Sequence, residues 1–232
     1  FVKTPEGFNS INNLEIDVNA LITYSNSDTK RTIELRNLKN DESLYKWNVK
    51  NPHKPQSRIM DPLLLPNKEI VYSYNGVTGL IKIDSLGNQI WKQPKMAHHH
   101  SLNLDSIGNI WACSYRKENG AFIIYKGKFS IDNQSYNFID NTICHLDINT
   151  GEILFHKSIA DILVENELEH LILRSDNAED PFHLNDVEPA MTTTENYKEG
   201  DLFMSFRNLS CLIHYRPSTN TVIEIIEGPF YS

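Results

Sequence analysis

The feature that most constrains this chain is an internal repeat. Asp84-Ser85-Leu86-Gly87-Asn88-Gln89-Ile90-Trp91 matches Asp105-Ser106-Ile107-Gly108-Asn109-Ile110-Trp111, and Asp147-Ile148-Asn149-Thr150-Gly151-Glu152-Ile153-Leu154 repeats the theme. Each copy sets alternating apolar residues on both sides of an Asp/Asn/Gly cluster, the chemistry that lets a chain reverse into a hairpin. A second series gives the phase. Thr23-Tyr24-Ser25, Ser73-Tyr74-Asn75, Ser114-Tyr115-Arg116 and Ser205-Phe206-Arg207 each close a β-prone run, at spacings of 50, 41 and 91 residues. The first two spacings match the ~40–50 residues of a four-stranded propeller blade. The reading is all-β: a β-propeller of four-stranded antiparallel blades, about four present, forming one partial domain over residues 1–232.

The long third spacing predicts insertions. Ser158-Ile159-Ala160-Asp161 has the form of a helix start, followed by Ile162, Leu163, Leu168, Leu171 and Ile172, which predicts a short helical excursion near 158–173. The segment between Lys117 and Asp140, with Gly120, Gly127 and Asn133, reads as an elaborated loop or longer hairpin.

Lettering the strands of each blade a to d outward from the axis, turns near Asn67, Gly108 and Glu199 join a to b, and turns near Asn40, Gly87, Gly151 and Asn220 join c to d. Antiparallel succession puts all of these on one face. The b–c loops and the d-to-a crossings then share the other face. His98-His99-His100 stands at the crossing into one strand a and His183 at the equivalent crossing into the next. Arg116 and Arg207 close strand b on the same side. Imidazoles and guanidinium forks converging there suit an anionic tetrahedral group such as a sulfate or phosphate ester. Transfer of that group needs a nucleophile, an acid and cationic donors, roles that His and Arg can fill. The bland alternative for the His run is a solvated turn. His183 resists that reading because it repeats the position, whereas Arg116 serves equally as a surface cation.

Composition excludes several classes. Lys+Arg 22 against Asp+Glu 30 gives a net charge of −8, which disfavours nonspecific nucleic-acid binding. No apolar run approaches the ~18 residues of a membrane span. Cys113, Cys144 and Cys211 have no CxxC spacing and read as buried thiols. Neighbouring strand residues face opposite ways, so three adjacent histidines cannot reach one ion, and no metal or other cofactor is expected. His53, His145, His156, His170 and His214 are assigned ordinary packing or surface roles. The Gly-Asn-x-Ile-Trp turns also suggest a quinone-dependent dehydrogenase-like propeller, but such Trp residues more often anchor blades by packing.

Asp180-Pro181-Phe182-His183-Leu184-Asn185-Asp186, Gly200-Asp201-Leu202-Phe203-Met204-Ser205-Phe206-Arg207-Asn208, Tyr215-Arg216-Pro217-Ser218, Glu227-Gly228-Pro229-Phe230 and the His-His-Ser-Leu-Asn-Leu-Asp stretch from His99 together resemble the arylsulfotransferases. The resemblance implies a propeller of about six blades that moves a sulfuryl group from an aryl sulfate to a phenol through a sulfohistidine, without a nucleotide donor. It implies that His99 or His100, His183 and Arg207 are catalytic, that Asn185, Arg116 and Asn208 bind substrate, and that the enzyme is extracytoplasmic. The family's nucleophilic histidine is expected after Gly228-Pro229-Phe230, so the chain reads as a piece lacking the C-terminal blades and its N-terminal start. The alternative is a non-catalytic propeller that binds a partner protein or an anionic ligand at its rim.

Overall fold

The computed structural model describes residues 13–51, 57–118, 121–122, 124–131 and 134–228. His53, Gly120, Asn133, Pro229 and Phe230, named above, lie outside the described residues. The fold is all-β, with every strand pairing antiparallel, and divides into two units, Phe1–Gln56 and Ser57–Ser232.

The first unit is a three-stranded meander of β1 (Asn19–Ser27), β2 (Lys30–Asn37) and β3 (Glu42–Lys50). Its centre is Glu34, buried completely, which receives the Tyr24 hydroxyl at 2.7 Å and the Arg36 guanidinium at 2.9 Å. Burial raises the Glu34 pKa, but donation from Tyr24, Ser43 and Arg36 outweighs it, and the carboxyl titrates below its ordinary range.

In the second unit, β4 (Leu63–Leu64), β5 (Ile70–Tyr72), β6 (Ile81–Ile83) and β7 (Gln89–Lys92) form a four-stranded meander. The next sheet is built from β8 (Met96–Leu104) and β9 (Ile110–Glu118), extended by the two-residue β10 (Ala121–Phe122). The chain then makes a separate hairpin, β11 (Ile124–Ile131) with β12 (Gln134–Ile139), in the segment that reads as an elaborated loop or longer hairpin. It returns to complete the sheet with β13 (Asn141–Leu146) and β14 (Ile153–Ser158), in the order β8-β9-β13-β14. Two short helices follow, α1 (Ile159–Glu165) and α2 (His170–Arg174), before a third meander of β15 (Leu184–Pro189), β16 (Leu202–Phe206), β17 (Cys211–Arg216) and β18 (Thr221–Glu227). Ser158 caps α1 as its sequence predicts, its hydroxyl accepting from the Asp161 amide at 3.3 Å.

The sheets are joined through both faces of the central one. Leu102, Ala112, Cys144 and Leu146 point one way and pack with Leu65, Val71, Leu80 and Trp91 of the preceding meander. Trp111, Cys113 and Ile143 point the other way and pack with Val187, Leu202, Met204 and Ile213 of the following meander and with α1 and α2. A strand whose alternate residues are apolar on both sides can exist only with both faces covered. Trp91 docks on the c–d turn of the central sheet, its indole N–H donating to the Ile148 carbonyl at 3.1 Å. Gly151 admits it: a Cβ there would stand 2.7 Å from the indole ring, and the residue has φ +72.

A second device recurs outside the apolar cores. A carboxylate near each a–b turn pairs with a cationic or imidazole side chain on strand c: Glu69 with Lys82 at 2.7 Å, Asp105 with His145 at 2.7 Å, Asp201 with His214 at 2.8 Å and with Arg216 at 2.6 Å. His145 stacks on Trp111 and His214 on Phe203, so both histidines do pack, as expected of them.

Candidate functional site

The site forms where the crossings into β8 and β15 meet. The sequence of β8 would have His98, His99 and His100 alternate across a sheet, but the ladder does not allow it. His98 pairs with Ser114 and Leu102 with Ala112, so residues 99–101 stand opposite Cys113 alone. This bulge throws the segment out of register and re-aims its side chains. The b–c loop of the preceding meander holds it: Gly76 N donates to His98 O at 2.8 Å, His98 N to Thr78 O at 2.9 Å, and His100 N to Asn75 Oδ1 at 3.2 Å.

The three imidazoles have separate fates. His98 is wholly buried toward the earlier sheet, and burial pushes it down to about 3 against a weak contribution from the Cys113 backbone. His99 is 3% exposed, stacks on Tyr115 at a centroid distance of 3.9 Å, and is held neutral well below its ordinary pKa, first by burial and then by its neighbouring histidines. Neither ring of the two makes a well-formed side-chain hydrogen bond. His100 is half-buried; its pKa is lowered by burial and His183, and pulled back by Asp61 and Asp180. Arg207 contributes a further lowering, which places that guanidinium in the same electrostatic neighbourhood.

His183 arrives from the other crossing. Its ring centroid is 5.3 Å from that of His100, an edge-on pair. Its Nδ1 lies 2.8 Å from Asp180 Oδ2, and its amide donates to Asp180 Oδ1 at 3.2 Å. Both His100, at φ +54, and His183, at φ +46, occupy the left-handed region. Residues with a Cβ seldom adopt it, at a cost of about 1–2 kcal/mol each.

The remaining expected residues distribute around this pair. Arg207 is exposed and lines a cavity of about 480 Å³ with Asp176, Asn177, Glu179 and Asn208. Asn208 uses its side chain to donate to Asp180 O at 2.6 Å. Asn185 lines a second cavity of about 470 Å³ with Asp61, Ser101, Asn103 and Asp186; its Oδ1 is buried without a partner. Arg116 stands elsewhere, beside Asp140 and His156; burial raises the first and lowers the second, and the Arg116 charge restrains the rise and adds to the fall. Among the described residues no group of three or more His, Cys, Asp or Glu is placed to hold a metal ion.

Asp180, Asp61 and Tyr115 were missed in the sequence. Asp180 alone carried a legible signal, an Asp three residues ahead of a singled-out His, which is the spacing of a side chain that binds nearby backbone amides.

Residues 61–231 match the family model for arylsulfotransferase (ASST). The chain belongs to the arylsulfotransferase family. The match begins four residues into the second unit and takes in His98–His100, His183, Asn185, Arg207 and Asn208. No curated protein matches this arylsulfotransferase-family chain. Among solved structures, a protein of unknown function from Bacteroides caccae superposes with a TM-score of 0.41 at 9% identity, covering 87% of this chain and 58% of that one. Virginiamycin B lyase from Staphylococcus aureus does so at 0.39 and 14% identity, covering 91% and 75%. AztD from Citrobacter koseri gives 0.29 at 13% identity, covering 91% and 59%. The chain thus spans under two thirds of the Bacteroides caccae structure, and superpositions this loose carry nothing about its site.

Proposed function

We propose that this arylsulfotransferase-family chain supplies the anion-binding part of a site that transfers a sulfuryl group from an aryl sulfate to a phenol. The meanders are read as consecutive blades of a propeller, about four of an expected six, with the repeat in the sequence counting β1–β3 in the same series. The observation that carries the reading is the pair of His100 and His183. Two crossings from separate sheets bring their rings to 5.3 Å, each on a strained left-handed backbone, with Arg207 in electrostatic range.

The electrostatics fit a tetrahedral anion that gains charge on its leaving oxygen. Arg207 offers paired donors from an exposed position beside a cavity, and His100 offers a neutral imidazole that can donate or accept. His99 forms the wall behind His100. Asn185 and Asn208 flank the pair and supply amide contacts to substrate, with Arg116 a more distant cation. Transfer through a histidine intermediate is part of the same reading. An extracytoplasmic location accompanies the family assignment.

Calorimetric titration of the chain with an aryl sulfate tests this. Binding should weaken at least tenfold in Arg207→Ala and in His183→Ala, and fall with salt. Equal affinity in both variants would remove the proposal. Binding that behaves as expected with no transfer to a phenol, even when the flanking sequence is supplied, would leave the non-catalytic rim-binding alternative standing in its place.

A further inference from the structure

Resting on the reading of His183 as a site residue, we infer that Asp180 is its positioning residue, fixing the imidazole with the proton on Nδ1 and the Nε2 lone pair turned to substrate. Both Asp180 carboxylate oxygens are taken up by groups of the protein, so it acts through His183.

The geometry is over-determined. Asp180 Oδ2 faces His183 Nδ1 at 2.8 Å, while Oδ1 accepts from the His183 amide at 3.2 Å and from Asn141 Nδ2 at 2.7 Å. An ionised carboxylate only accepts, so the nitrogen it faces must carry hydrogen. The carboxylate is itself held by the central sheet, because Asn141 begins β13 and its Oδ1 also receives the Leu184 amide at 3.2 Å. From the other side, Asn208 Nδ2 donates to Asp180 O, Asn208 N to Phe182 O at 3.2 Å, and Arg207 N to His183 O at 3.1 Å. One knot therefore sets the His183 ring and the backbone that carries Arg207. The side chain of Asp180 is 13% exposed, so water competes weakly for its oxygens.

Asp180→Asn separates tautomer from fold. The new amide has two donors, Asn141 Nδ2 and the His183 amide, pointing at the Oδ1 position, so its oxygen stays there. Its NH₂ then faces His183 Nδ1, which must give up its hydrogen, and the proton moves to Nε2. The deciding measurement is the ¹⁵N spectrum of the histidine-labelled full chain at pH 9. The expected result is a His183 protonated on Nδ1 in the wild type and on Nε2 in Asp180→Asn, with the melting temperature changed by under about 3 °C, the effect of roughly 1 kcal/mol in a unit of this size.

A wild-type His183 protonated on Nε2 overturns the inference whether or not the variant folds, and so does an unchanged tautomer in the variant. In transfer assays Asp180→Asn should lower kcat on the order of 100-fold while KM for the aryl sulfate moves under threefold, the loss expected when a positioned imidazole presents the wrong nitrogen. An unchanged kcat overturns the positioning role. His183→Ala serves as the control on the preceding section: if it leaves aryl sulfate binding and transfer intact, the reading of the site fails while the tautomer result stands on its own.

Discussion

Asp140 sets a pH window on the stability of the second unit. The residue is 2% exposed and accepts one hydrogen bond from Ser158 Oγ at 2.7 Å. Burial pushes its carboxyl up to about 6, with Ser158 and Arg116 restraining the rise and Asp161 adding to it. In the unfolded chain it titrates at its ordinary value of 3.8. The folded state therefore holds a proton that the unfolded state releases between about pH 4 and pH 6, and stability falls as pH rises through that interval. The shift is about 2 pKa units, so the loss is about 3 kcal/mol once the carboxylate is fully ionised.

Asp140→Asn keeps an oxygen for Ser158 and removes the ionisation. Urea denaturation at pH 4.5 and pH 8 should show the variant within about 1 kcal/mol of wild type at the lower pH. At the higher pH it should be more stable by about 3 kcal/mol, the attraction of Arg116 being already contained in the folded value. In a melting experiment that corresponds to roughly 5–10 °C for a unit of this size. A variant that is less stable than wild type at pH 8, or that gains equally at both pH values, would refute the reasoning.

The Asp201 cluster should behave with the opposite sign. Asp201 is buried yet receives Arg216 Nε at 2.7 Å, His214 Nε2 at 2.8 Å and Lys198 N at 2.9 Å. Burial pulls its pKa upward, but these donors prevail and hold the carboxyl far below its ordinary range. Its contribution is present above the unfolded value near 4 and is lost as pH falls below it; Asp201→Asn should cost about 3–5 kcal/mol at pH 7 by denaturant titration, and progressively less in acid. Gly151→Ala forces a Cβ to 2.7 Å from the Trp91 ring at φ +72. It should cost about 1–3 kcal/mol and red-shift Trp91 fluorescence as the indole is displaced toward solvent.

What was legible in the sequence is what is decided locally. The c–d and a–b turns were found because their chemistry lies within five residues. Asp84 Oδ1 accepts from the Leu86 and Asn88 amides, Asp105 Oδ1 from Ile107 and Asn109, and Asp147 Oδ1 from Asn149 and Thr150. The α1 cap is local in the same way. The site was legible only as an address. Which of His98, His99 and His100 meets His183 depends on a bulge that places three residues against Cys113, and period-2 reasoning has no signal for that. Asp180 depends on Asn141, 39 residues away, and Asp105 on His145, 40 residues away, pairings that only the stacked and folded-back sheet creates.

The two site histidines show why position outlasted residue pattern as a guide. His100 and His183 share a left-handed backbone but are held there by different means: His100 by the Asn75 side chain of the preceding meander, His183 by Asp180 and by Arg207 of its own sheet. Each set of hydrogen bonds, at about 1 kcal/mol apiece, offsets a backbone cost of about 1–2 kcal/mol, so neither conformation is explained by local preference. A glycine at either position would satisfy the backbone without strain. Imidazoles stand there instead, at equivalent crossings and ring to ring, and that juxtaposition is what the proposed role of these two positions rests on.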